Sequence, residues 1–160
     1  MRQDTKNALG LAGFLTATLG SGLVIAWLTS AGPGDWYHSL NMPIFIPPAW
    51  IFPVVWTVLY IFMGVASWLI WLQRPAPGVK LALLFFFVQL ALNMLWSPLF
   101  FGLHNFALAT VDVGLLLLAI LVTCRLFFGL SGPAGWLMLP YFCWVGFAGM
   151  LTMFVWRLNS

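Results

Sequence analysis

The residues of this chain that could do chemistry are few, and most are aromatic. Its 160 residues include ten tryptophans, three tyrosines and fifteen phenylalanines, against three acidic residues, two histidines and two cysteines. Asp4, Asp35 and Asp112 offer no pair of carboxylates for general acid–base work at one depth. His38 and His104 both fall in loops and complete no Ser/His/Asp set. In a hairpin, a histidine such as His104 is more often solvated than a haem ligand. Cys124 and Cys143 lie inside apolar segments and read as small buried hydrophobes. There is no CxxC, no Cys/His cluster and no glycine-rich phosphate loop, so no protein-built metal or nucleotide site is expected.

What remains is flat ring surface with a few polar groups at helical spacing. Pro53, Trp56, Tyr60, Gly64 and Ser67 recur at three- or four-residue steps, as do Gln89, Asn93, Trp96 and Phe100. Pro140, Trp144, Phe147, Ala148 and Leu151 form a third such stripe. Inside a membrane the outward face of a helix is plain Leu, Ile, Val and Phe, so polar, small and aromatic residues mark the inside of a bundle. One stripe alone reads as helix packing. Three together suit a shared cavity for a flat apolar ligand, oriented by a few polar groups. Asp112 and Asn93 read first as hydrogen-bonding pins between helices, with ligand contact or a proton path as the alternative.

The elements that must position these stripes are membrane helices. The chain is 63% hydrophobic and 6% charged, where soluble domains carry roughly 25% charged residues. Apolar stretches run about 8–28, 49–72, 81–102, 106–128 and 135–157, each near the roughly 20 residues of a spanning helix. The expected fold is therefore all-α, one domain over residues 1–160, a bundle of five transmembrane helices. The first stretch exceeds the about 7–15 apolar residues of a signal peptide and reads as a span. Its row of Gly13, Ala17 and Ser21, with Thr16 and Gly20 on the neighbouring face, is expected to pack inside the protomer.

Residues 29–48 form a long first loop carrying Trp36, Tyr37 and Phe45, which could lid an apolar cavity or simply anchor at the interface. Arg2, Lys6, Arg74, Lys80 and Arg125 gather at one end of the five spans and Arg157 at the other. For a bacterial inner membrane this puts the N-terminus in the cytoplasm. A net charge of +3, scattered, excludes a nucleic-acid partner.

Specific runs of residues carry a resemblance. They are Trp36-Tyr37 with Leu40-Asn41-Met42-Pro43, Pro47-Pro48 through Phe52-Pro53 and Trp56 to Tyr60, and Asn93 to Trp96-Ser97-Pro98 with Phe100-Phe101-Gly102. Ala109-Thr110-Val111-Asp112, Pro140-Tyr141-Phe142-Cys143-Trp144 with Phe147-Ala148, and Trp156-Arg157-Leu158-Asn159 complete them. Over nearly its whole length the chain resembles the tryptophan-rich sensory protein and translocator protein family, also called the peripheral benzodiazepine receptor family, and looks like a bacterial member.

The resemblance implies a five-helix bundle, usually a homodimer, with a pocket under the first loop that binds porphyrins such as protoporphyrin IX and haem. No cofactor is built in; porphyrin is a ligand. By position, Trp36, Trp56, Tyr60, Asn93, Trp96, Trp144, Phe147 and Ala148 look like the ligand-binding set. Trp36 and Trp144 match tryptophans implicated in light-dependent porphyrin breakdown, so a photochemical enzyme is the alternative to a receptor-like binder. A porphyrin or lipid transporter is the third. The chain departs from the cholesterol consensus of animal members, because Phe154 stands where that consensus has tyrosine.

Overall fold

No water reaches the hydrocarbon core of a bilayer, so a spanning segment must bond its own amides, and these apolar segments do so as helices. In a computed structural model, which describes residues 3–30 and 34–160, the helices are α1 (Gln3–Ser30), α2 (Gly34–Ser39), α3 (Ile51–Leu72), α4 (Val79–Ser97), α5 (Phe106–Leu130) and α6 (Gly132–Asn159). All but α2 are long and apolar enough to cross a membrane. Arg2 and the start of the first loop at residues 31–33 lie outside the described residues.

The helices run past the expected limits. The gap expected between the stretches 106–128 and 135–157 shrinks to Ser131 alone, because Pro133 fits a first helical turn, where its missing N–H is no loss. The first loop is not wholly irregular, since α2 forms within it. Pro98 ends α4, having no amide to give back to the preceding turn. The chain continues as a wider π-helical turn, Pro98–Gly102, closed by Leu103 N–H donating to Pro98 O at 2.9 Å and Asn105 N–H to Leu99 O at 3.0 Å. His104 then takes a left-handed φ of +52°, and the Asn105 side chain caps α5 by accepting from Leu108 N–H at 3.0 Å. Proline, π turn, left-handed residue and cap together reverse the chain within a few residues.

The spans close into a ring: α1 packs on α3, α3 on α6, α6 on α5, α5 on α4, and α4 returns to α1. Met63, Ile70, Phe86, Ile120, Phe127, Met138 and Tyr141 fill its centre and are fully buried. Leu23, Leu84, Val111 and Leu118 point outward, exposed. Trp27, Trp50 and Trp156 are exposed at the end that carries the first loop and Trp136 at the other, as interfacial rings should be. At that other end the Arg74 guanidinium lies 3.2 Å over the Trp71 ring.

The small-residue row of α1 is not the internal seam. Gly13, Thr16 and Ala17 are exposed, and only Ser21 of the row is buried. The inward face is Gly10, Thr18, Ser21 and Gly22, displaced around the helix from that row. A Cβ on Gly22 would lie 2.6 Å from Tyr60 Cε2. A Cβ on Gly64 of α3 would lie 2.8 Å from Thr18 Oγ1 and 3.2 Å from the Leu15 Cα. Spacing alone marks two neighbouring small rows on α1 and does not say which one meets α3.

Gly64→Val should force α1 off α3, at about 1–3 kcal/mol, typical of overpacking. Gly13→Ala, with open space around it, should change stability by no more than about 0.5 kcal/mol. Thermal unfolding of the two variants in one detergent measures this. Equal melting temperatures would reverse the assignment of the inward face.

Candidate ligand-binding site

At the centre of the ring, α3 and α4 are joined by a buried hydrogen bond: the Tyr60 hydroxyl donates to Asn93 Oδ1 at 2.7 Å. One turn away the Gln89 amide reaches Met63 Sδ at 3.9 Å. Trp56 stacks on Tyr60, ring centroids 5.6 Å apart, and meets Tyr141 edge-on at 6.3 Å. Tyr141 is buried near Tyr60, Asn93 and Asp112, yet its hydroxyl makes no hydrogen bond of sound geometry. Asp112 Oδ2 and Gln89 Oε1 are also buried without a partner, as are the indole nitrogens of Trp96 and Trp144. Asn93 thus pins two helices as its type suggested. Asp112 reaches no such bond through Oδ2.

A second aromatic group lies under the first loop. Trp36 stacks on His104 with centroids 3.7 Å apart and planes at 19°, lies parallel to Phe106 at 6.0 Å and meets Phe100 edge-on at 6.3 Å. Trp96 stacks on the same Phe100 at 4.9 Å. Tyr37 packs against Phe101 at 5.8 Å, and burial pushes its phenol above the usual pKa, so it stays neutral. His104 is exposed but not simply solvated: it is the platform for Trp36. Trp96 packs against both this group and the central core and so connects them.

Trp144 and Phe147 stand elsewhere. Trp144 meets Phe52 at 5.9 Å and Phe147 at 5.6 Å. With Val54, Val58, Phe62, Pro140 and Cys143 they line an apolar groove of about 420 Å³ between α3 and α6, open to the outside of the ring. Cys143 is accordingly exposed, which corrects the reading of both cysteines as buried; Cys124 is buried. The face of α6 that enters the core is Tyr141, Val145, Gly149 and Thr152. Of the stripe read from Pro140, only Leu151 is buried; Trp144, Phe147 and Ala148 are partly buried and Pro140 is exposed. Ala148 is half-buried, and its carbonyl accepts from Thr152 Oγ1 at 2.9 Å.

The eight residues singled out by sequence thus form three linked groups: Trp56, Tyr60 and Asn93 at the centre, Trp36 and Trp96 under the loop, and Trp144, Phe147 and Ala148 on the shoulder of α6. The ligand-binding set drawn from the sequence left out Tyr141, Phe100 and Phe106, although Phe100 stood on the stripe of Asn93 and Trp96. Tyr141 was findable, because it shares the i, i+4 face of Val145 and Gly149. Among the described residues no group of three or more His, Cys, Asp or Glu could hold a metal.

Comparison with known proteins agrees with the pattern of residues. The TspO/MBR family model matches residues 14–157. Protein CrtK of Rhodobacter capsulatus is 44% identical over 128 residues, covering 79% of this chain and 80% of that protein. Tryptophan-rich protein TspO of Archaeoglobus fulgidus is 34% identical over 154 residues, 96% of this chain and 99% of that one. Translocator protein of Bos taurus is 38% identical over 127 residues, 78% and 75% of the two chains.

The central hydrogen bonds separate two tyrosines. Tyr60→Phe leaves Asn93 Oδ1 without its donor and should cost about 1–2 kcal/mol. Tyr141→Phe removes a hydroxyl that has no partner and should leave the ligand-free protein unchanged or more stable. Melting temperatures in the reverse order would refute the assignment.

Proposed function

The chain belongs to the TspO/MBR family, and on that premise we propose that it is an integral membrane, receptor-like protein that binds porphyrins such as protoporphyrin IX and haem. The observation that carries this reading is the pairing of ring surface with buried, unpartnered polar atoms. The indole N–H groups of Trp96 and Trp144 and the Tyr141 hydroxyl sit without hydrogen bonds among Trp56, Tyr60, Phe52 and Phe100. Leaving such groups bare costs about 1–3 kcal/mol each. A flat, rigid, mostly apolar ligand with polar edges stacks on the rings and satisfies the donors, at little cost in its own conformational entropy. The name of one relative, translocator protein, is compatible with ligand recognition in a membrane. The gathering of Lys6, Arg74, Lys80 and Arg125 at the end opposite the first loop supports a cytoplasmic N-terminus in a bacterial inner membrane. In that orientation the loop and the aromatic group under it face the outer side.

The experiment is a titration of the purified protein with protoporphyrin IX, in dark and in light, with mass analysis of the porphyrin. Saturable binding in the dark is expected. Ala148→Thr adds bulk on the α6 shoulder and should weaken binding about tenfold, through about 1–3 kcal/mol of overpacking. Wild-type affinity in that variant would remove Ala148 from the site, and absence of saturable binding would overturn the reading. Light-driven loss of porphyrin that survives in the Trp36→Phe, Trp144→Phe double variant would exclude those two indoles as the photochemical donors.

We also propose a homodimer. The outward row Gly13, Thr16 and Ala17 of α1 offers a surface for close helix approach. Ala17→Leu should then yield a folded monomer that still binds porphyrin, read as the mass of the detergent-solubilised particle. A retained dimer would move the interface to another helix.

A further inference from the structure

Four cations, Lys6, Arg74, Lys80 and Arg125, stand at the end of the bundle opposite the first loop, against one carboxylate, Asp4. A bias of charge explains which end they occupy, but three of them also share a local frame. Just inside that end, three rings join three helices. Trp71 of α3 meets Phe14 of α1 edge-on with centroids 6.4 Å apart, and Phe14 stacks on Phe87 of α4 at 6.4 Å with planes at 24°. Gly10 makes room for the first of these rings, since a Cβ there would lie 2.7 Å from Trp71. The Arg74 guanidinium covers Trp71, and its Nε donates to the Trp71 carbonyl at 2.7 Å. That bond and the stacking fix the plane of the fork, and its two Nη groups find no acceptor among the described residues. Lys80 stands two turns before Phe87 and so on the same face of α4. Lys6 adjoins Asn7, whose carbonyl accepts from the Trp68 indole of α3 at 2.9 Å. Lys6, Arg74, Lys80 and Phe87 are exposed, and among the described residues no carboxylate pairs with these cations.

We propose that this foot of α1, α3 and α4 binds an anionic phospholipid, its phosphate held by Arg74 and Lys80 with Lys6 beside them and its acyl chains laid over Phe14 and Phe87. The Arg74 fork matches two phosphate oxygens, and a lysine adds a compact point charge. The layering suits such a ligand, with cations at the helix ends and apolar rings one to two turns further in. A soluble anion would meet the cations and leave the Phe87 face bare. A neutral lipid would cover the rings and leave the cations unpaired. The site shares no residue with the porphyrin site proposed above, so the two readings stand or fall separately. Arg125 is the internal comparison. It lies two residues before Phe127, whose ring stacks on Phe86 of α4 at 6.2 Å. Two residues turn an α-helix by about 200°, so Arg125 points away from α4.

The test uses the whole protein, stripped of lipid in an uncharged detergent and titrated with dioleoyl phosphatidylglycerol, with the phosphatidylcholine of the same chains as control. Native mass spectrometry reads the lipid retained per protomer, and thermal unfolding reads the stabilisation. Phosphatidylglycerol should be retained and should raise the melting temperature, phosphatidylcholine should do neither, and added salt should weaken the effect. Lys80→Gln should lower the affinity for phosphatidylglycerol about fivefold, the weight of one cation at an anionic membrane surface. Arg74→Gln should lower it at least as much, since the fork goes with the charge. Arg125→Gln should leave it unchanged. Melting temperatures without lipid check that each variant is folded; if Arg74→Gln is not, Lys80→Gln decides the matter alone. Equal binding of the two lipids overturns the proposal. So does a loss in Arg125→Gln as large as in Lys80→Gln, because the effect then belongs to the net charge of the whole end. Inorganic phosphate that stabilises the protein as well as phosphatidylglycerol does would also overturn it, because the rings then play no part.

Discussion

Every polar group inside the span must find its partner within the protein, because the hydrocarbon around it offers none. Most of the buried hydroxyls meet this locally. Thr18, Ser67, Thr123 and Thr152 each turn back to a carbonyl four residues earlier, at 2.8–3.1 Å. They therefore sit in the core without asking anything of another helix. The Tyr60–Asn93 bond is instead a buried case where two helices must meet to satisfy one another, and Gly22 of α1 makes room for Tyr60 to do so.

Against that background the unsatisfied atoms stand out. Gln89 Oε1, Trp96 Nε1, Asp112 Oδ2, Tyr141 OH and Trp144 Nε1 are drawn from α4, α5 and α6, three consecutive helices of the ring. Low dielectric surroundings make each of them expensive. A protein that kept them only for stability would do better with apolar residues of the same shape. Their position beside stacked aromatic rings is the physical support for the proposed ligand, one with both ring surface and hydrogen-bonding edges.

The reversal between α4 and α5 links this interior to the loop above. Pro98 starts the π turn, the turn presents Phe100 to both Trp36 and Trp96, and His104 in its left-handed conformation supplies the surface on which Trp36 stacks. The packing of Trp36 is thus built by backbone geometry about sixty residues downstream of it, and the partner of the Asn41 backbone by Asn159 in the last turn of α6.

Much of this could be read in the sequence, and the reason is the solvent. A bilayer demands apolar runs of fixed length, so composition and the Pro/Gly breaks located all five spans, with errors only at their ends. The same demand made Trp56, Tyr60, Asn93 and Trp96 recognisable as inward-facing, since polar and aromatic residues have little other reason to recur on one face. Which of two small rows on α1 meets α3, and which shoulder of α6 Trp144 occupies, was decided only in the assembled bundle. Helical spacing gives a face to within about one residue, roughly 100° of rotation, and a single residue separates core from lipid. The pairing of Asn41 with Asn159, and of Trp36 with His104, joins positions remote in sequence whose types alone suit many partners. Only the ring order of the helices brings them into contact.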